Sequence, residues 1–353
     1  MTVGIHYIRL EDAVTSVGSD GFRIERKDDP TVRVPDEVLK CVGFIGEVEH
    51  QDETGMYGEH RATGFFVAIP CESQHLKHSR TVYFVTAKHV AEEFKSSHIS
   101  FWVNRKGGGV TTVPDIVGER WWFHPTDETA DVAILQVCMN PQADIVPIAV
   151  ETIGLPDRIT EMVVGIGDEV YAPGLFTEVD STDSMKPIVR HGNIAMMANT
   201  IQTKYGMAEV YLVEARSIGG ISGSPVFTRN TIAASVKMKD GSTTLSFSNG
   251  HGETLLGLVH GHWDVRESEI NSPTIKQDRK QGVNYGIAIV VPAIKIYETL
   301  YRPELIAMRK QQEQEEVNSS IPDTDVAPAK ENRESFTKED FENALKKVSR
   351  KKN

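Results

Sequence analysis

Between Cys41 and Val291 the apolar residues fall in short runs, separated by polar stretches that carry Gly, Pro and Asn. Runs of that length, rich in Val, Ile, Phe and Thr, predict strands. They lie at 41–46, 62–69, 81–86, 99–103, 110–113, 132–137, 163–166 and 169–171, then at 188–190, 210–214, 226–227, 254–259 and 286–291. Helical spacing is rarer: a short stretch at 90–94 and a longer one at 292–312. Many short strands joined by turn residues predict an all-β fold, an antiparallel barrel or sandwich. The pattern divides the chain into a leader at 1–37, a β-rich domain at 38–302 and a charged helical and disordered tail at 303–353.

Beyond residue 312 large apolar residues thin out, and 318–330 mixes Ser, Pro, Asp and Ala, the composition of a disordered linker. The last stretch sets Phe336, Phe341, Leu345 and Val348 at roughly helical spacing before Arg350-Lys351-Lys352. Two readings stand: a solvated tail, or an amphipathic peptide that docks on a regulatory protein partner or on the barrel.

With 353 residues, 39% hydrophobic and 25% charged, the chain has the composition of an ordinary globular protein. Its net charge of −12 and lack of a basic face argue against a general nucleic-acid binder. Cys41, Cys71 and Cys138 are widely spaced and form no Cys-x-x-Cys pair, so neither a disulfide framework nor a structural zinc site is expected. The first twelve residues lack a signal-peptide core, and no apolar run reaches membrane-spanning length. The expectation is a cytoplasmic protein with no membrane partner.

Chemistry concentrates in Gly219-Gly220-Ile221-Ser222-Gly223-Ser224-Pro225-Val226. Glycines on both sides of a serine permit a turn that exposes the hydroxyl and lets a substrate approach the main chain. A nucleophile beside two converging amides, those of Gly220 and Ser222, suits acyl transfer, where negative charge develops on a carbonyl oxygen. The plainer reading is a tight loop between strands. Two further stretches bear on the choice. In Val85-Thr86-Ala87-Lys88-His89-Val90 a histidine follows an apolar strand, and in Ala130-Asp131-Val132-Ala133-Ile134-Leu135 an aspartate opens one. Each also has a structural reading, a packed histidine and a strand-capping aspartate. A buried Asp131 would need a donor, and a ring nitrogen of a histidine would serve.

The order His89, Asp131, Ser222 in a β-rich chain matches one of the known triad orders. With these motifs the chain resembles the trypsin-like (chymotrypsin-fold) serine peptidases, and among them the bacterial HtrA-type branch. Thr86-Ala87-Lys88-His89-Val90, Asp131-Val132-Ala133-Ile134-Leu135 and Gly220-Ile221-Ser222-Gly223-Ser224-Pro225-Val226 are similar to that family's three catalytic motifs. Leu256-Gly257-Leu258-Val259 resembles its cleft strand, and Asn284-Tyr285-Gly286-Ile287-Ala288-Ile289 before Pro292 its closing segment. The resemblance spans roughly 38–302 and includes no PDZ-like segment. It implies two six-stranded antiparallel β-barrels followed by a C-terminal helix. It also implies a serine endopeptidase that cleaves protein or peptide substrates through an acyl-enzyme, with neither metal nor organic cofactor. Ser222 would be the nucleophile, His89 the general base, Asp131 its orienting acid, and the amides of Gly220 and Ser222 the oxyanion hole.

Two departures stand out: Ile221 replaces a polar residue, and Ser224 replaces a glycine. Gly219-Gly220 suggests a flexible oxyanion loop that rests in an inactive form. Arg216, six positions before Ser222, falls where the family places its specificity pocket, with His260 and His262 on the cleft strand. These three would favour an acidic side chain in the substrate, whereas Arg216 pointing to solvent or pairing with Glu214 would not. The rival reading is an inactive protease-fold scaffold that presents its tail to a partner. The oligomeric state is left open.

Overall fold

The computed structural model describes residues 34, 36–47, 50–52, 55–57, 60–94, 99–113, 121–176, 184–203, 205–215, 220–228, 233–237, 243–247, 254–265 and 283–320. The leader up to residue 33, Arg216, Gly219 and the tail from 321, with its amphipathic stretch, lie outside the described residues, as does the side chain of His262. The chain divides into one unit at 1–313 and a second at 314–353.

Two β-sheets dominate the first unit. One runs in the order Val110–Val113, Ile99–Asn104, Val42–Glu47, His60–Pro70, Arg80–Thr86, Ala133–Gln136 and Trp122–Phe123. Ile148–Ala149 joins it by pairing in parallel with His60–Pro70. The other orders Glu169–Gly174, Ile188–Thr203, Gly206–Glu214, Val283–Pro292, Thr254–Val265 and Pro225–Thr228, whose last strand pairs back onto the first and closes the ring. Six antiparallel strands thus form the second sheet. The first has eight rather than the expected six, and the described pairing does not close it.

Continuous apolar runs, buried on both faces of the strands, build both cores. Phe65, Phe66, Tyr83, Phe84 and Phe101 are fully buried in the first, with Phe66 and Phe84 edge to face at 5.0 Å. Val170, Ile194, Val213, Ile221, Val226, Leu256, Val259 and Val290 fill the second. Each such side chain contributes about 1.5–3 kcal/mol by leaving water.

Three expectations are corrected. The stretch 163–166 is a turn, because the helix Pro156–Glu161 ends there. The amide of Val163 bonds the Thr160 carbonyl at 3.1 Å and that of Val164 the Ile159 carbonyl at 3.0 Å, with Val163 at φ +55°. These bonds form a Schellman cap, with valine in the left-handed position that glycine ordinarily fills. The brief strand expected at 188–190 runs on to Thr203. Its polar residues hide the period, and its pairing shifts register between Ile194 and Met196 and again before Asn199. The helix expected over 292–312 is two, Ala293–Leu300 and Pro303–Ser320, broken where Pro303 supplies no amide donor.

Disorder was expected from about 312, yet the helix continues to Ser320, since Glu and Gln are good helix formers. Up to residue 313 it is anchored. The buried Arg309 guanidinium donates to the Tyr83 hydroxyl at 3.1 Å and the Leu300 carbonyl at 2.9 Å. The buried Glu313 carboxylate accepts the amides of Glu72 and Ser73 at 3.1 and 2.9 Å. No helix among the described residues is long and apolar enough to cross a membrane.

Candidate active site

Strand register brings His89 and Asp131 together. In the first sheet Thr86 pairs with Ala133, so the residues just after one strand and just before the other meet at the same end of the ladder. His89 lies in the first turn of the helix Lys88–Glu93, and Asp131 holds it at two points. The His89 amide donates to Asp131 Oδ1 at 2.9 Å, and the ring Nδ1 donates to Oδ2 at 2.8 Å. A carboxylate only accepts, so this partner puts the ring proton on Nδ1 and leaves Nε2 of neutral His89 as an acceptor. The imidazole is 22% exposed while the carboxylate is 2% exposed, so one end of the pair meets solvent and the other is sealed.

Asp131 Oδ2 has a second partner, Nδ1 of His260. Burial on its own would raise the Asp131 carboxyl. Hydrogen bonds from His260 and His89, with the nearness of both imidazoles, instead hold it well below the usual carboxylate range. It stays ionised. The rings of His89 and His260 meet edge to face at 5.6 Å, and Tyr205 closes on His260 at 5.7 Å. Burial and the charges of Asp131 and Glu92 push the Tyr205 hydroxyl up, so it remains protonated.

Ser222 stands where the two sheets meet. Its carbonyl accepts the amide of Thr63, from the strand His60–Pro70, at 3.1 Å. Thr63 Oγ1 donates to the Gly220 carbonyl at 2.7 Å and accepts the Leu175 amide at 2.8 Å. The Gly223 amide bonds the Val259 carbonyl at 2.8 Å, and the Val259 amide the Ser224 carbonyl at 2.9 Å, which ties the turn to the strand Thr254–Val265. Gly223 has φ +83°, and a Cβ there would strike the Thr63 carbonyl and the Thr86 hydroxyl, so only glycine fits. The amides of Gly220 and Ser222 have no acceptor among the described residues.

The hydroxyl of Ser222 donates to the carbonyl of His260 at 3.4 Å, and no hydrogen bond joins it to His89. Ile221 is buried in the apolar interior of the closed sheet. Ser224 is fully buried against Gly174, and its hydroxyl has no partner among the described residues.

The side chain of His260, set beside the cleft by sequence, is 9% exposed and turned onto Asp131. His262 is placed only as a strand residue, and Arg216 lies outside the described residues. Reading the sequence did not single out Thr63 or Tyr205. Both act through contacts with residues distant in the chain, and an isolated threonine or tyrosine carries no local signal.

No protein-family model and no curated protein matches the chain. Among solved structures it is similar to the MamO protease domain from Magnetospirillum magneticum in its apo form. That likeness has 16% identity over 76% of this chain and 99% of that one, with a TM-score of 0.43. It is also similar to the HtrA-type protease AlgW with a decapeptide, at 13% identity over 79% of this chain and 66% of that one, with a TM-score of 0.41. Both likenesses are too loose to carry the assignment of a function.

Proposed function

We propose that the chain is a serine endopeptidase of trypsin-like fold that cleaves protein or peptide substrates. The observation that carries this reading is the two-point hold of Asp131 on His89, through main-chain amide and ring, together with a serine turn whose Gly220 and Ser222 amides have no acceptor among the described residues. In this reading the Ser222 hydroxyl leaves the His260 carbonyl and turns to Nε2 of His89. The imidazole takes its proton as Oγ attacks the scissile carbonyl. Asp131 stabilises the imidazolium, and the amides of Gly220 and Ser222 receive the negative charge. The proton then passes to the leaving amine, and water hydrolyses the acyl-enzyme by the same steps. No step calls on a metal or an organic cofactor.

The contact of Ser222 with the His260 carbonyl favours a second reading, an inactive scaffold in which the serine is parked. Labelling with a fluorophosphonate probe separates the two. The peptidase reading expects wild type to label and Ser222→Ala not to. Wild type that stays unlabelled, alone and with denatured protein substrates added, would favour the scaffold.

A further inference from the structure

Acyl transfer needs one imidazole against the buried acid, and here there are two. We infer that His260 is a positioning residue: it holds the Asp131 carboxylate in the orientation that aims His89, and so works through Asp131 without touching substrate. The inference rests on the serine-peptidase reading above.

The geometry gives the carboxylate three donors. Oδ1 takes the His89 amide, and Oδ2 takes Nδ1 of both His89 and His260. Because Asp131 is buried, loss of any of these donors would leave charge unsatisfied, and rotation of the carboxylate would be the response. Of the three donors, the His89 ring can turn with the carboxylate, whereas the His89 amide is fixed in the helix Lys88–Glu93. His260 is the donor that holds Oδ2 from outside His89. It comes from the strand Thr254–Val265 of the closed sheet, 129 positions from Asp131, so it fixes the acid from the opposite sheet. Its own ring is held between the edges of His89 and Tyr205, and its Nδ1 is committed to Asp131. Its carbonyl meanwhile receives the Ser222 hydroxyl. One residue therefore touches the acid with its ring and the nucleophile with its backbone.

His89, Asp131 and His260 also offer three ligand atoms within 4.8 Å of one another, a spacing compatible with a metal ion. The positioning role is favoured because Oδ2 already accepts two ring protons, and a cation would have to displace both.

Two measurements test it. The first is long-range 1H–15N NMR on Ser222→Ala, which reports ring tautomers whether or not the protein is an enzyme. Both rings are expected with the proton on Nδ1. His260 protonated on Nε2 alone would overturn the inference, as would one equivalent of Zn2+ that removes both Nδ1 protons. The second is the saturation kinetics of fluorophosphonate labelling for wild type, His260→Phe and His260→Asn. The Phe variant keeps a ring without the donor and should label about 10- to 100-fold more slowly at saturation, with half-saturation little changed. The Asn variant restores an N–H donor and should recover most of that rate. A Phe variant with unchanged maximal rate and weakened half-saturation would make His260 a substrate-binding residue and overturn the inference. If wild type does not label at all, the peptidase reading fails while the tautomers still show whether His260 holds Asp131.

Discussion

Thr63 donates its hydroxyl to the carbonyl of Gly220 at 2.7 Å, across 157 positions of sequence. The same oxygen accepts the Leu175 amide, and the Thr63 amide bonds the Ser222 carbonyl. One buried threonine of the first sheet thus pins the serine turn of the second.

Thr63→Val keeps the shape and removes the hydroxyl. It leaves the Gly220 carbonyl and the Leu175 amide without their partner, each at about 1–3 kcal/mol. The expected outcome is a lower melting temperature together with slower fluorophosphonate labelling. Full labelling at reduced stability would show that the bond supports the fold and not the turn.

Asp127 and Lys295 form a second test, based on pH. Burial raises the Asp127 carboxyl, but hydrogen bonds from Lys295 and Thr129 and the lysine charge bring it to about 2. The ammonium lies 2.8 Å away. A folded-state value below the unfolded one, near 4, means that the folded protein binds fewer protons. The pair therefore stabilises fully above about pH 5 and loses its effect as pH falls towards about 2. Asp127→Asn should melt below wild type at neutral pH, and the gap should narrow across that window. A gap independent of pH would assign the effect to packing.

Val163 at φ +55° is 42% exposed, so its side chain gains little from burial while its backbone is strained. Left-handed geometry costs an L-residue about 1–2 kcal/mol, part of which glycine returns as entropy of the unfolded chain. Val163→Gly should stabilise by about 1 kcal/mol and raise the melting temperature by about 2–4 °C. A fall would show that the Val163 side chain makes up for its strain.

Arg309 is buried and is held by the Tyr83 hydroxyl and the Leu300 carbonyl, with its guanidinium 5.3 Å from the Tyr301 ring. Arg309→Met keeps much of the aliphatic stem and strands both acceptors. Thermal unfolding should show a loss of about 1–3 kcal/mol. An unchanged melting temperature would mean that the segment 303–313 is dispensable to the first sheet.

Legibility tracked how local each cause is. The strands ending at Thr86 and starting at Ala133 are plain in their unbroken apolar runs, and with them the ends on which His89 and Asp131 sit. The strand through His191 and Asn199 was cut short because its outward residues are polar and its register slips twice. Trp122–Phe123 and Ile148–Ala149 escaped notice because two residues cannot display a period. Val163 has a branched side chain that suits a strand, yet the end of the preceding helix overrides that preference.

Residue order alone was enough to mark the β-rich class, the glycine-flanked serine turn, and a histidine and an aspartate at strand ends. Each depends on side chains within a few positions of one another. Which way those side chains turn was decided in three dimensions. The carboxylate of Asp131 takes His260 as well as His89, the Ser222 hydroxyl meets a carbonyl instead of an imidazole, and Thr63 secures the turn. These contacts join residues more than thirty positions apart. Their partners are chosen by how two sheets dock and by the need of buried polar groups for hydrogen bonds, and neither leaves a periodic trace in the sequence.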